Sequence, residues 1–123
     1  MLNSVIRGTP YENYLDFIYA QAKHETGNFK STLFKRYNNA MGMGVPIYRK
    51  SYRSGEWKAP NGEVFSTYYS VTSGFKDFVE WMKYAKMPAD FTTCKEYAEF
   101  MVKRNYAEDP LYYEKLVNRC ENG

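Results

Sequence analysis

A single histidine, His24, and two cysteines, Cys94 and Cys120, are all that this chain of 123 residues holds of the usual soft metal ligands. No His/Cys cluster forms at metal-binding spacing, which argues against a zinc enzyme, and neither a metal nor a cofactor is expected. The two cysteines lie in different predicted helices. They could meet, but two alone make neither a disulfide framework nor a metal site. No apolar run is long enough to cross a membrane, so no membrane insertion is expected. Met1 to Pro10 carries one arginine and no apolar core of the kind a signal peptide needs, so a target outside the cytoplasm would require another means of delivery. Charge of one sign is also scarce: the net charge of +3 is too small to demand nucleic acid, though it suits an anionic polymer or surface. No repeat, low-complexity tract or linker breaks the chain. Residues 1–123 therefore read as one domain with one modest core, expected to act as a monomer.

Aromatic residues are abundant instead, at 19% of the chain with Tyr 13 and Phe 8. Tyrosine offers a flat apolar face and a hydroxyl, which suits sugar rings as well as half-wet cores. Thr9-Pro10-Tyr11-Glu12 predicts a helix start, with a threonine cap, proline at the first helical position and glutamate three after the cap. That helix runs to about Glu25 or Thr26, where Gly27 suits the left-handed closing residue. Ser31 caps a short helix through about Tyr37, and Asn38-Asn39-Ala40-Met41-Gly42-Met43-Gly44 comes next as a tight segment. Strand-prone residues between Val45 and Ser70, punctuated by Ser54-Gly55 and Pro60-Asn61-Gly62, predict one or two β-hairpins. Phe75, Phe78, Val79, Met82 and Ala85 then mark the buried face of a helix ending at Met87-Pro88. Thr93-Cys94-Lys95-Glu96 is a capping box opening a helix with Tyr97, Met101 and Val102 inward. Asp109-Pro110 starts the last helix, with Tyr113, Leu116, Val117 and Cys120 on one face. The fold class is α+β and mainly helical: about five helices and a small β-hairpin lobe.

One carboxylate stands out. Leu15, Ile18, Ala22 and Glu25 succeed one another at spacings of three, four and three, which places Glu25 on the core-facing stripe, away from Glu12, Asp16 and Lys23. Partial dehydration and the negative end of the helix dipole would both raise its pKa, as a general acid at neutral pH requires. The alternative is an exposed, idle glutamate at a frayed helix end.

Four segments, in order, resemble one family. His24-Glu25-Thr26-Gly27-Asn28-Phe29 resembles the "E-S-G-W-G" motif of lysozyme-like muramidases and glucosaminidases. Tyr37 with Asn38-Asn39-Ala40-Met41-Gly42-Met43 resembles the "Y-N-L-F-G-I-K" segment of the glucosaminidase (glycoside hydrolase 73-type) branch. Phe65-Ser66-Thr67-Tyr68-Tyr69-Ser70 is similar to that branch's "F-R-K-Y-x-S" strand. Asn105-Tyr106-Ala107-Glu108-Asp109-Pro110-Leu111-Tyr112-Tyr113-Glu114-Lys115-Leu116 is similar to its closing "G-Y-A-T-D-P-x-Y-A-x-K-L". The resemblance implies a helical lobe and a β-lobe flanking a cleft. It also implies a peptidoglycan hydrolase cutting the β-1,4-linked N-acetylglucosamine/N-acetylmuramic acid backbone. Glu25 would be the proton donor and Tyr106 would line the cleft beside it, or else pack beneath the last helix. Asn39 would hold the loop at the cleft, a role as much structural as substrate-binding, and Tyr37 and Tyr68 would join the substrate-binding residues.

The sequence also departs from that pattern. The ring after the acid is displaced by one position, to Phe29, and the segment from Gly44 to Phe65 is short for the family. The "T-x-E" context of the family's second carboxylate is missing, leaving Glu56 and Glu63 as candidates for a base or charge stabiliser. Each is otherwise a solvated turn residue. Asp77 and Glu80 read as the solvent face of the third helix. Tyr48, Tyr52 and Trp57 are candidate sugar platforms, alternating with Arg49, Lys50, Arg53 and Lys58. That mixture also occurs on nucleic-acid surfaces, which makes a nucleic-acid module one rival reading. A glycan-binding or virion structural protein without turnover is the other. A start at methionine and no wall-anchoring repeats favour a bacteriophage lysis or virion-entry setting over a domain of a secreted autolysin. In either setting the protein acts on the wall, in the periplasm or outside the cell.

Overall fold

Residues 1–46 and 52–123 are described by the computed structural model; the platform assigned to Tyr48, with Arg49 and Lys50, lies outside them. The chain opens with α1 (Leu2–Ile6), a short helix that the sequence pattern does not announce, which buries Leu2 and Ile6 against the fourth helix. Thr9 does cap the turn after it, its hydroxyl accepting from the Tyr11 amide at 3.2 Å. The Glu12 carboxylate reaches back one residue further than a capping box requires, to the Gly8 amide at 3.1 Å. The first turn is therefore 3-10 (Glu12–Tyr14), and α2 (Leu15–Thr26) begins only after it. Gly27 at φ 56° closes α2 in the left-handed conformation that glycine adopts without penalty.

The Ser31 hydroxyl caps α3 (Thr32–Tyr37) by accepting from the Phe34 amide at 3.2 Å. Next comes a hairpin, β1 (Gly55–Lys58) antiparallel to β2 (Val64–Thr67), with the Pro60-Asn61-Gly62 turn at its tip. Ser54-Gly55, expected as a second turn, instead leads into β1. Helices α4 (Val71–Tyr84), α5 (Cys94–Lys103) and α6 (Tyr112–Asn122) complete the helical lobe. α5 begins with both halves of the Thr93–Glu96 capping box in place.

Core positions match the apolar periodicity. Ile18 and Ala22 of α2, Phe78 and Met82 of α4, Tyr97 and Met101 of α5, and Leu116 of α6 are fully enclosed. Two helices are rotated slightly from the expected faces. Val102 is exposed, and α6 buries Tyr112 in place of Tyr113, which is only half-buried. Asp77 corrects the reading of α4. It is enclosed, accepting a 2.6 Å bond from the Tyr68 hydroxyl, because α4 is covered on a second side by the end of β2. Gly74 permits that approach: a Cβ there would stand 2.7 Å from the Asn38 carbonyl oxygen. The Tyr68 amide bonds the Tyr37 carbonyl at 2.9 Å, and Asn38 Nδ2 bonds the Tyr68 carbonyl at 2.9 Å, so the β-lobe is fastened to the end of α3.

Cys94 and Cys120 form a disulfide across a sequence separation of 26, joining the start of α5 to the end of α6. Closing a loop of that length in the unfolded chain stabilises the fold by about 3 kcal/mol. Replacing both cysteines with alanine is expected to lower the urea-unfolding free energy by about that amount, with the slope against urea checked for two-state behaviour.

Candidate active site

Glu25 stands on the last turn of α2, where the helix passes behind the segment between α3 and β1. The segment is held by Asn39, which is buried and uses both ends of its amide. Its Nδ2 donates to the carbonyls of Met43 (3.0 Å) and Ser66 (2.8 Å), while Oδ1 accepts from the Met43 amide (3.0 Å). The Ser66 amide bonds the Met43 carbonyl at 2.9 Å, and Gly44 bridges Phe65, so the segment runs along β2 almost as a further strand. Asn39 thus holds the loop, with no polar atom left over for a ligand. Gly42, at φ +66°, brings that loop against the acid: a Cβ there would lie 2.9 Å from Glu25 Oε2.

The other carboxyl oxygen is held from α6. The Tyr112 hydroxyl donates to Glu25 Oε1 at 3.0 Å and accepts from Gln21 Nε2 at 2.9 Å. Gln21 Oε1 in turn accepts from the Tyr97 hydroxyl. Gln21, Tyr97 and Tyr112 are all buried, so this is a satisfied polar network inside the helical lobe. Burial pushes the Glu25 carboxyl up to about 7, and the Tyr112 hydrogen bond works in the opposite direction. Burial foremost, then the Glu25 charge, pushes the Tyr112 hydroxyl far above its ordinary range, so it stays a donor. Sequence reasoning does not single out Gln21 or Tyr112 as site residues. Gln21 lies four residues before Glu25 on the same helical face, and Tyr112 is the tyrosine of the "D-P-x-Y" motif.

Glu25 faces a cavity of about 600 Å³ between the lobes. His24, Glu63, Phe65, Tyr106, Glu108 and Asp109 line it as well. Tyr106 sits at the cavity wall and packs mainly against α4, with Tyr112 of the last helix further off at 6.5 Å. It meets Trp81 edge-on at 4.8 Å between centroids while its hydroxyl donates to the Met41 carbonyl at 2.6 Å. Asn105, in place of the motif's glycine, holds a left-handed φ of 53°. The His24 ring meets Tyr112 edge-on at 5.4 Å, and its pKa is lowered by burial and then by Arg119 and Lys115.

The hairpin candidates separate by position. Trp57 pairs with Phe65 and Glu56 with Ser66, and Glu56, set back from the tip of the hairpin, is not among the residues that line the cavity. Glu63, at the start of the returning chain, does line it. Three aromatic candidates, Tyr37, Trp57 and Tyr68, do not line that cavity. Tyr37 stacks on Trp57 at 4.8 Å and Trp57 on Phe65 at 6.5 Å, so the first two rings prop the hairpin behind the lining residue. Tyr68 is enclosed and bonded to Asp77, because it serves the joint between lobes. Phe29, the displaced ring, packs against Tyr19 and Phe34, away from the cavity.

Residues 9–122 match the family model described as Mannosyl-glycoprotein endo-beta-N-acetylglucosaminidase. Among solved structures, the chain is similar to a peptidoglycan hydrolase from Sphingomonas sp. A1. The identity is 27% and the TM-score 0.71, over 89% of this chain and 74% of that one. The autolysin Auto catalytic domain from Listeria monocytogenes shares the fold at 20% identity and TM-score 0.64, over 96% of this chain and 75% of that one. So does the glycoside hydrolase domain of FlgJ from Salmonella typhimurium, at 20% identity and TM-score 0.63, over 98% and 82%. No curated protein matches the sequence.

Two outcomes are expected from the geometry alone. Tyr112→Phe removes the bond that lowers the Glu25 pKa, so a carboxyl-carbon NMR titration should place that pKa above the wild-type value of about 7. The folded acid holds its proton up to about pH 7, whereas an unfolded one, at its ordinary value of 4.5, has released it. The wild type should therefore lose stability as pH rises through that window, and Glu25→Gln should not. Thermal melts at pH 4, 6 and 8 give the comparison.

Proposed function

The chain belongs to the glucosaminidase family, and from that membership we propose that Glu25 is the proton donor with which it cleaves the glycan backbone of bacterial peptidoglycan. The protein is a glycoside hydrolase with a lysozyme-like α+β fold. The observation that carries the role of Glu25 is the place of its carboxyl, largely shielded at the cavity wall and hydrogen-bonded by Tyr112, where burial pushes its pKa up to about 7. Oε1 is occupied by the Tyr112 hydroxyl, so the proton sits on Oε2, the oxygen beside Gly42. From there it passes to the glycosidic oxygen as the bond to the sugar breaks, and Glu25 is left as a carboxylate steadied by Tyr112.

The positive charge that develops on the sugar ring needs a partner. Glu63 is the carboxylate assigned to it, as a base or charge stabiliser, because it lines the same cavity from the opposite lobe. Asp109 is less available, being bound to Lys115 at 2.6 Å and to the Leu111 amide at 2.9 Å. One observation favours a second reading. Glu63 Oε1 is held within its own turn by Asn61 Nδ2 at 2.9 Å, which leaves the substrate's acetamido oxygen as the alternative nucleophile. The disulfide suits an oxidising compartment, in keeping with work on the wall side of the membrane.

On purified peptidoglycan, Glu25→Gln is expected to release reducing sugar about 10²–10⁴-fold more slowly than wild type. The wild-type rate should fall tenfold per pH unit above about pH 7, as the donor loses its proton. Unchanged turnover by the amide variant would remove Glu25 from the mechanism. Mass spectrometry of the products names the bond. Glu63→Gln separates the two readings: loss of rate assigns Glu63, and retention assigns the acetamido group. Gly42→Ala should lose rate at least tenfold, since its Cβ would crowd the oxygen that carries the proton.

A further inference from the structure

The cleft continues past Glu25. Beyond Tyr106 lies a second cavity of about 320 Å³, which shares Gly42, Gly44, Asn105 and Tyr106 with the first. The two ends differ in charge. Among the described residues, Glu63, Glu108 and Asp109 join Glu25 around the first cavity, which has no lysine or arginine in its lining. Among the described residues, the second is lined by one charged side chain, Arg104, with Trp81 and Tyr84 beside it.

Arg104 is held in place rather than waving in solvent. One guanidinium nitrogen donates to the Ala85 carbonyl at 2.5 Å, and Cζ stands 5.4 Å from the centre of the Phe100 ring. A guanidinium carries five N–H donors in a rigid fork, so fixing one leaves a planar set for a carboxylate. Tyr84 is more than half exposed and offers a ring face at the same cavity.

Peptidoglycan alternates a neutral sugar with one bearing a lactyl ether. That ether ends in a free carboxylate or, where a stem peptide is attached, in an amide with peptide carboxylates further out. We infer that the cavity framed by Trp81, Tyr84 and Arg104 is a carboxylate-reading subsite for the acid-bearing sugar, which sets the register of the glycan across Glu25. The inference rests on the substrate class proposed above. A strand shifted by one sugar would carry its carboxylate into the end lined by Glu63 and Glu108, where like charges repel. The strand placed correctly meets Arg104.

Three glycans test this: peptide-free strands with free lactyl carboxylates, the same strands with those carboxylates converted to amides, and strands carrying stem peptides. Wild type should lose about tenfold in kcat/KM when the lactyl carboxylate is amidated, the usual scale for a charge-assisted bond. Arg104→Gln should already be slow on the charged strands and indifferent to amidation, and Arg104→Lys should keep part of the discrimination. If Arg104→Gln is slow only on peptide-bearing strands, the carboxylate that is read belongs to the stem peptide. Equal losses by Arg104→Gln on all three glycans, or none, overturn the subsite and leave the hydrolase reading intact. Absence of wild-type turnover on every glycan overturns that reading first, and the subsite with it.

Discussion

The hydrogen bond from Tyr112 to Glu25 ties the last helix to the second and decides what the acid can do. Burial alone would push the carboxyl further above its ordinary range, and an acid whose pKa lies far above the working pH is a weaker donor. The tyrosine supplies an opposing influence, and the balance leaves the group near neutrality. That balance requires Tyr112 to stay a donor, which burial and the nearby carboxylate both enforce. It also requires the hydroxyl to be aimed. Gln21 aims it, and Tyr97 fixes Gln21, so the orientation of one Glu25 oxygen depends on a chain of buried side chains from α2, α5 and α6. The disulfide between α5 and α6 reinforces two of those three helices.

The opposite wall of the cleft is built by other means. There the backbone of residues 39–44 comes to the acid, and it does so by borrowing the β-lobe's hydrogen bonds. Asn39 commits its whole amide to that attachment. Gly42 then lets the loop reach van der Waals distance of Oε2. Besides the joint of Tyr68 with Tyr37 and Asn38, two further contacts couple the lobes: Asn39 beside the acid, and Tyr68 with Asp77 behind it. Both are buried polar contacts between an element of the hairpin side and one of the helical side. Such contacts are costly when half-made, so each favours keeping the lobes joined at that point.

Local chemistry explains which features are legible in the sequence. Gly27, Ser31 and the Thr93–Glu96 box act within a few residues of themselves, so they can be read directly. The periodic stripe of α2 likewise places Glu25 correctly, because a helical face is a local property. Tyr68 and Asp77 are misread for the converse reason. Each looks solvent-facing or cleft-facing within its own element, and only the return of β2 over α4 buries the pair. Glu56 and Glu63 cannot be separated without the fold of the hairpin, which decides that Glu63 and not Glu56 lines the cavity. Tyr112 lies inside a legible motif, but nothing local distinguishes it from Tyr113. A rotation of α6 by about one residue decides which ring reaches the acid.

The displaced aromatic after the acid shows what its motif contributes here. Gly27, Asn28 and Phe29 all hold positive φ, at 56°, 62° and 65°. A left-handed phenylalanine is unfavourable by about 1 kcal/mol or more, and here two contacts offset it. The Phe29 amide donates to Thr26 Oγ1 at 2.7 Å, and the ring is seated between Tyr19 and Phe34. Thr26 Oγ1 also bonds the Ala22 carbonyl, which closes the last turn of α2 directly beneath Glu25. The stretch after the glutamate thus serves to end the helix abruptly, so that the acid projects from a finished turn into the cleft. A ring at that point anchors the reversal from the far side. In this chain the ring packs against Tyr19 and Phe34 and does not line the cavity that Glu25 faces.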